Sequence, residues 1–576
     1  GRIIDHGTRR HPDAVVTEVS PSGLVEKLPF SALGTRCAGL AAALEVIGVG
    51  PGDVVATLLD NRTELLELLL AVPAMGAVVH PVNIALQESL LLATLGLVDE
   101  TVLVTGSRAV DFLAANHHRF PSVRHVVLVD AEIEDVDPES WPGVSFHSYE
   151  QILDGRPAER EWPELDEDTA AMVVSTSGTT GAPKSVVYSH RAIYLHAIGM
   201  GNVDAFGLCS RDTVATLVPF FHVAGWGLPY ASLMFGSGLV LTRASESERP
   251  SLGAALGRAL AAAPVTAITS APAHVADYFA ESDVRRQDFE GIDRVVFGGS
   301  GASPSLVHRL RDELGIAVLH GWGMTETGPI GAVSLRDEPV RDVQARDEGS
   351  PADPGATADT RPAPDGTGRD HSTAPGVQPG AELAHSTEVE CRFSSLVSAR
   401  IVDFHGVRMR DSVGVGELEV RGPHVTARYL DSRSAEGDFE DGWLRTGDLA
   451  RLSHDGALTL VDRASDAIRS GGEWISSVEL ENAVMQLPGV GEAACVGVPD
   501  DQWGQRPLCV VASAPGASHP SPRELWEGLY WIPEWSRPDH WAFIEYIPRT
   551  SVGKFDKRAL RRWFAQGRFD VETFSR

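Results

Sequence analysis

The feature that most constrains this chain is a run of hydroxyl and glycine residues closed by a lysine, Ser175-Thr176-Ser177-Gly178-Thr179-Thr180-Gly181-Ala182-Pro183-Lys184. The four residues before it, Ala171-Met172-Val173-Val174, have the apolar character of a buried strand. Glycines let backbone N–H groups converge on an anion, hydroxyls add donors or metal ligands, and lysine adds a charge suited to phosphate. The order of strand, loop and lysine predicts a phosphate-binding loop, although it lacks the Walker ending. The alternative is a flexible polar loop at the surface.

Length, charge and composition limit what the chain does. Its 576 residues exceed what one hydrophobic core organises, so we expect at least two domains. A net charge of -30 argues against nucleic-acid binding, which needs a basic face. We find no apolar run long enough to span a bilayer and no secretory leader, although the chain begins at Gly1.

The cysteines are scattered, odd in number and without metal-ligand spacing: Cys37, Cys209, Cys391, Cys495 and Cys509. We interpret them as small hydrophobic residues, none of them a nucleophile, in a chain of the reducing cytoplasm.

Alternating helix and strand signals predict an α/β fold with parallel strands through residues 1–330. Examples are an amphipathic helix from Thr63 to Met75 and strands at Ala77-Val78-Val79, 267–269 and 294–297. Residues 337–390 have almost no large apolar side chains, and we predict a disordered insertion there. Short β runs, among them 417–420, follow from Ala399. A smaller α/β region follows Ser465, with a helix predicted from Ser477 to Met485 and a strand over 493–498.

Further motifs follow the phosphate loop in a fixed order. They are Pro219-Phe220-Phe221-His222-Val223-Ala224-Gly225-Trp226-Gly227, Gly298-Gly299-Ser300-Gly301-Ala302, His320-Gly321-Trp322-Gly323-Met324-Thr325-Glu326, Thr446-Gly447-Asp448, Asp462-Arg463, Ser470-Gly471-Gly472-Glu473-Trp474-Ile475-Ser476-Ser477 and Pro548-Arg549-Thr550-Ser551-Val552-Gly553-Lys554. Together these motifs resemble those of the adenylate-forming (AMP-binding) superfamily, and most closely those of medium- and long-chain fatty acyl-CoA synthetases.

The resemblance implies a large multi-layer N-terminal adenylation domain over residues 1–464 and a small mobile C-terminal lid over 465–576. It also implies an ATP-dependent reaction in two halves. A carboxylate first forms an acyl-adenylate, and a thiol, with CoA expected, then takes the acyl group. The expected partners are a carboxylic acid, ATP, Mg²⁺ and CoA; a homodimer stays an open alternative.

The resemblance assigns roles residue by residue. The expected catalytic residues are Lys554, Glu326, Thr325 and Lys184, and the expected metal ligands are Thr176 and Glu326. The expected nucleotide-binding residues are Thr176, Ser177, Gly178, Thr179, Thr180, Gly181, Lys184, Ser300, Gly301, Ala302, Gly321, Trp322, Gly323, Met324, Thr325, Asp448, Arg463 and Lys554. The expected acid-binding residues are His222, Trp226 and Gly299. The residues expected to serve lid rotation and CoA binding are Ser465, Gly471, Gly472 and Glu473. Plain structural roles stay open as alternatives: Trp322 in the core, Arg463 in a hinge salt bridge, and His222 and Trp226 in packing.

The sequence departs from the family pattern at four places. Lys184-Ser185 replaces Lys-Gly, Ser465 replaces a hinge lysine, Asn83-Ile84-Ala85-Leu86 replaces Asn-x-Arg-Leu, and the insertion at 337–390 is extra. The expected adenylation residues are intact, but the departures weaken the case for CoA. The alternatives are a carrier-protein or amide ligase, or an ATP-dependent diazotase that uses nitrite and an aromatic amine. A non-catalytic homologue is a third alternative.

Overall fold

The computed structural model describes residues 1–130, 133, 136, 137, 140–176, 184–243, 252–281, 286–299, 301–334, 390–403, 406–409, 414–430, 438–471, 473–514, 516–549 and 554–574. The predicted insertion at 337–390, apart from residue 390, and most of the phosphate loop therefore lie outside the described residues. The chain divides into two compact units. The large unit comprises Gly1–Glu338, Val389–Ala467 and Tyr546–Arg568, and the described part of the small unit comprises Ile468–Glu545 and 569–574. The predicted domain boundary at 464/465 stays a prediction.

The helices of the described residues are α1 Arg2–Arg10, α2 Phe30–Val46, α3 Thr63–Ala74, α4 Glu88–Leu95, α5 Ser107–Ala115, α6 Tyr149–Leu153, α7 His190–Met200, α8 Val223–Phe235, α9 Gly253–Ala262, α10 Pro272–Glu281, α11 Pro304–His308, α12 Ser477–Val484, α13 Pro522–Gly528 and α14 Lys557–Ala565. None of these is both long and apolar enough to cross a membrane.

The strands of the described residues are β1 Val15–Val19, β2 Val25–Pro29, β3 Val54–Leu58, β4 Val78–Pro81, β5 Glu100–Gly106, β6 His125–Val129, β7 Ser145–Ser148, β8 Ala170–Thr176, β9 Lys184–Ser189, β10 Thr213–Thr216, β11 Gly238–Thr242, β12 Ala267–Ser270, β13 Arg294–Gly298, β14 Ala317–Met324, β15 Gly328–Ser334, β16 Cys391–Phe393, β17 Ser398–Val402, β18 Gly416–Arg421, β19 Phe439–Glu440, β20 Trp443–Leu452, β21 Ala457–Arg463, β22 Ile468–Ser470, β23 Glu473–Ile475, β24 Val490–Asp500, β25 Gly504–Ser513, β26 His540–Phe543 and β27 Val571–Thr573.

Two sheets build the large unit. One has the order β7-β6-β5-β3-β4-β8-β9 and is parallel except for the β8–β9 pair. The other has the order β17-β18-β20-β21-β16-β15-β14-β13-β12-β10-β11-β1-β2, with β19 beside β20. In this order, neighbouring strands between β14 and β1 pair in parallel, and neighbouring strands between β17 and β14 pair antiparallel. The predicted α/β class is confirmed.

Helices α2, α3 and α8 share one hydrophobic core with strands of both sheets. This position explains why the helix predicted at Thr63–Met75 is present but is not amphipathic. The helix is present as α3, but every residue from Leu65 to Ala74 is buried. A helix that contacts sheets on more than one side needs an apolar surface all round, and its leucines supply it.

The small unit is a separate α/β layer. Its sheet has the order β23-β22-β25-β26-β27, and β24 pairs with β25. Helix α12 packs on this sheet in a core that includes Leu480 and Trp541. The hydroxyl of Ser476 caps α12 by accepting a hydrogen bond from the Glu479 N–H. A helix from Ser477 and a strand over 493–498 were predicted here, and both are confirmed.

Candidate active site

A cavity of about 690 Å³ lies in the large unit, where parallel strands end. Its wall includes the ends of β8, β12, β13 and β14, which is where open α/β sheets usually bind ligands. The predicted site residues that line it are Lys184, His222, Gly299, Gly321, Gly323, Met324, Thr325, Glu326, Arg463, Ser465 and Lys554.

Other predicted residues do not line the cavity. Trp226, Gly301, Ala302, Trp322 and Asp448 lie outside its lining. Gly471 and Glu473 belong to the small unit. Ser177, Gly178, Thr179, Thr180, Gly181, Ser300 and Gly472 lie outside the described residues, as does the side chain of Thr176. The roles of all these residues stay predictions.

The side chain of Lys554 lines the cavity next to Gly299. Gly299 follows β13 with a φ of +88°, and a Cβ at this position would lie 2.9 Å from the Lys554 Cε. The positive φ therefore favours glycine at position 299, and a larger residue there would push the end of the Lys554 side chain aside. Two features flank the lysine in the chain: an antiparallel bridge between Arg549 and Phe555, and the side chain of Asp556, which caps α14.

Burial lowers the pKa of the Lys554 ammonium to about 8. The positive charge of Arg463 also lowers this pKa, and the negative charge of Asp448 raises it. A lysine with such a pKa carries its charge at neutral pH and loses it in mildly alkaline solution.

Glu326 is a buried carboxylate, with only 5% of its surface exposed. Its Oε1 accepts a 2.5 Å hydrogen bond from the hydroxyl of Tyr429, and its backbone carbonyl accepts one from the Thr426 N–H at 2.7 Å. Burial raises the pKa of Glu326, while the bond from Tyr429 and the charges of Arg463 and Lys184 lower it. These contacts fix the direction in which the carboxylate points.

Lys184, which closes the predicted phosphate loop, has two partners that the sequence analysis missed. Its Nζ lies 2.5 Å from Oδ2 of Asp438 and 4.8 Å from the centre of the Tyr429 ring. Asp438 and Tyr429 also line the cavity. Asp438 is 254 residues away in sequence, so no local pattern could have indicated the pair.

His222 and Trp226 differ in their placement. The Nδ1 of His222 accepts a hydrogen bond from the Ala224 N–H, so Nε2 carries the proton. Burial lowers the pKa of His222 to about 3, and the positive charge of Lys554 contributes to this shift. The imidazole in the cavity wall is therefore neutral. Trp226 is fully buried and packs on Tyr188 and His196, with ring centres 4.7 and 5.1 Å away.

A second missed feature is a chain of polar side chains behind the cavity. Glu100 Oε1 lies 3.2 Å from His80 Nδ1, and His80 Nε2 lies 3.4 Å from Ser175 Oγ. Ser175 Oγ lies 2.8 Å from Ser185 Oγ, its direct partner across β8 and β9. Because the carboxylate only accepts, the proton of His80 belongs on Nδ1, and Ser175 donates to Nε2. Ser185, where the sequence departs from the family pattern, completes the chain.

Ser465 also has a described partner. The guanidinium of Arg561 donates a 3.0 Å hydrogen bond to the Ser465 carbonyl oxygen and pairs with Asp466 at 2.6 Å. A cation from α14 therefore sits beside the position where the family pattern has a hinge lysine.

Comparison with sequence families gives two matches in chain order. The family model described as AMP-binding enzyme matches residues 4–361. The model described as AMP-binding enzyme C-terminal domain matches residues 479–554.

Two curated relatives cover almost the whole chain. The 3-methylmercaptopropionyl-CoA ligase of Ruegeria lacuscaerulensis is 32% identical over 98% of this chain and 96% of its own length. The medium-chain-fatty-acid–CoA ligase of Ectopseudomonas oleovorans is 31% identical over 97% of this chain and 95% of its own length.

Among solved structures, the anthranilate CoA ligase AuaEII in complex with anthranoyl-AMP superposes with a TM-score of 0.79. The superposition covers 98% of each chain at 19% sequence identity, which supports the fold.

Proposed function

Because this chain belongs to the family of AMP-binding enzymes, we propose that it activates a carboxylic acid with ATP and transfers the acyl group to CoA. It is an acid–thiol ligase, as its sequence relatives are by name. One observation carries the proposal: Lys184, Glu326 and Lys554 line the same cavity as the neutral His222.

In the first half-reaction, a carboxylate oxygen attacks the α-phosphorus of ATP, and pyrophosphate leaves. Negative charge is then concentrated on the α-phosphate and the attacking carboxylate. Lys554 stabilises this charge from a partly buried position, where an ion interacts more strongly than it does in water. Lys184 binds the outer phosphates as a point charge.

Mg²⁺ fits the donors that Glu326 offers. Among the described residues, no cluster of three His, Cys, Asp or Glu side chains could hold a metal ion alone. Mg²⁺ does not need such a cluster, since it commonly binds one or two carboxylates together with phosphates and water. Glu326 would hold the ion, together with Thr176 by resemblance. When bound, Mg²⁺ supplies charge neutralisation for the phosphates.

Part of the cavity wall is apolar, and we propose that the acyl group lies against it. This part includes Met200, Phe206, Leu228, Val296 and Ile330. Apolar walls stabilise an acyl group through burial of its hydrocarbon surface. We therefore propose a fatty or aryl acid as the substrate.

In the second half-reaction, the CoA thiol attacks the acyl carbonyl, and AMP leaves. The glycines at 471 and 472 are assigned to this step by resemblance. The cytoplasm is the compartment we propose, and a homodimer stays an alternative that the molecular mass in solution would decide.

Acid-dependent exchange of pyrophosphate into ATP tests the proposal. Medium- to long-chain fatty acids and aryl acids should each be offered with Mg²⁺, and we expect exchange with at least one of them. Exchange should fall strongly in Lys554→Ala and persist in Lys27→Ala, which alters an exposed lysine of the same unit. Failure with every acid, or activity with nitrite alone, would contradict the proposal.

A further inference from the structure

Two of the five cysteines lie side by side in the small unit. Cys495 and Cys509 are direct partners on the antiparallel strands β24 and β25, and their sulfur atoms are 2.8 Å apart. Side chains of direct partners leave a sheet on the same face. Both are fully buried in the core beneath α12.

The position of the pair in the strand ladder suits a disulfide. The N–H of Cys495 donates a 2.8 Å hydrogen bond to Oε1 of Glu481, a residue of α12, and therefore does not point to Cys509. In an antiparallel ladder, this marks a non-hydrogen-bonded pair, with Cα atoms about 4.5 Å apart. Disulfides join cysteines whose Cα atoms are roughly 4.4 to 6.8 Å apart.

We propose that Cys495 and Cys509 form an intrachain disulfide when a hydroperoxide oxidises the chain. One thiolate attacks a peroxide oxygen, which gives a sulfenic acid and, from hydrogen peroxide, one water. The second thiol attacks the sulfenic sulfur, the S–S bond forms, and a second water leaves. Two sulfur atoms lose two electrons in total, and the two peroxide oxygens gain them.

Proximity makes the second step fast. The sulfur atoms need to approach by less than 1 Å to reach the disulfide bond length of about 2 Å. Among the described strands, β24 pairs with β25 alone, so it is an edge strand, where local opening admits a small oxidant. The disulfide would cross-link this edge to the interior of the sheet.

Two other buried cysteines provide a contrast. The Cys37 thiol faces the carbonyl oxygen of Glu67 at 4.0 Å, and the Cys391 thiol faces that of His320 at 3.6 Å. Cys37 is therefore a matched control for burial without a neighbouring sulfur.

Hydrogen peroxide treatment of the purified full chain, followed by thiol counting after denaturation, tests the proposal. We expect the count to fall from five to three, and to return to five with dithiothreitol. Cleavage before Asp500 separates the two cysteines, so the disulfide keeps two peptides joined until reduction. Separate peptides, or a linkage to another cysteine, would overturn the proposal.

Two variants locate the reacting pair without relying on catalysis. Cys495→Ala keeps an apolar side chain in the core, and we expect no linked peptides from it. Cys37→Ala should still give the linked peptides and lose two thiols. If Cys495→Ala fails to fold, Cys509→Ala serves the same purpose. Equal thiol loss in wild type and both pair variants would refute the disulfide.

Discussion

The indole N–H of Trp322 donates a 2.8 Å hydrogen bond to Oδ2 of Asp448, so two predicted nucleotide residues 126 positions apart are in direct contact. The other carboxylate oxygen, Oδ1, pairs with Nε of Arg463 at 2.8 Å. Each oxygen can still accept a further hydrogen bond. Trp322 and Arg463 therefore orient the carboxylate that we expect to bind ribose hydroxyls.

Removal of the indole N–H tests this orientation. Trp322→Phe leaves an aromatic ring but no donor, and a hydrogen bond to a charged group contributes roughly 1.5 to 3 kcal/mol. We expect the KM for ATP to rise about tenfold while the KM for the acid changes little. Trp443→Phe, in the same unit, should leave both constants unchanged. Equal increases in the two constants would indicate a general loss of structure instead.

The bond between Tyr429 and Glu326 predicts a pH effect. Burial raises the pKa of Glu326, and the Tyr429 hydroxyl opposes that rise. Tyr429→Phe should therefore raise this pKa further and move the acidic limb of the kcat/KM profile to higher pH, because the ionised carboxylate is the active form. Tyr230→Phe removes another buried hydroxyl, bonded to the Leu69 carbonyl, and should leave the limb in place. An unchanged limb in Tyr429→Phe would count against a role for ionised Glu326.

Lys554 should control the alkaline limb of adenylation. Its pKa is lowered to about 8 by burial, so the ammonium and the rate of pyrophosphate exchange should be lost as the pH rises through that value. Lys554→Ala should slow exchange about a hundredfold or more, the effect of losing one transition-state charge contact. Thioester formation from supplied acyl-AMP should be nearly unaffected. Equal damage to both half-reactions would show that Lys554 serves the structure or a different step.

The chain Glu100–His80–Ser175–Ser185 should position the base of the phosphate loop, because Ser175 is the first residue of the loop and Ser185 directly follows its last. His80→Ala and Ser185→Ala should each raise the KM for ATP about fivefold, and the double variant should show little further increase. His80 and Ser185 act through Ser175, so their effects should not multiply. His125→Ala, which breaks a histidine pair in the same sheet, is the control. Independent, multiplicative effects would contradict a connected chain.

Local sequence patterns predicted the helices and strands well. They did not predict the side-chain contacts that orient the site, and the structure shows why. The strand signals at 267–269, 294–297 and 417–420 correspond to β12, β13 and β18, because short apolar runs mark strands wherever they lie. The contacts that orient the site join distant segments. Tyr429 and Glu326 are 103 residues apart, and His80 lies 95 residues before Ser175. Neither Tyr429 nor His80 stands in a motif that the sequence analysis used, so chemistry alone gave no reason to choose them.

The most direct test of the account is product analysis with a confirmed acid substrate, ATP and Mg²⁺, offering CoA, a carrier protein or an amine in turn. We predict equal amounts of AMP and acyl-CoA, formed at a rate close to that of adenylation, despite Ser465 in place of the hinge lysine. Accumulation of acyl-AMP in the presence of CoA, with rapid discharge by the carrier protein or the amine, would contradict the assignment of CoA as the acceptor.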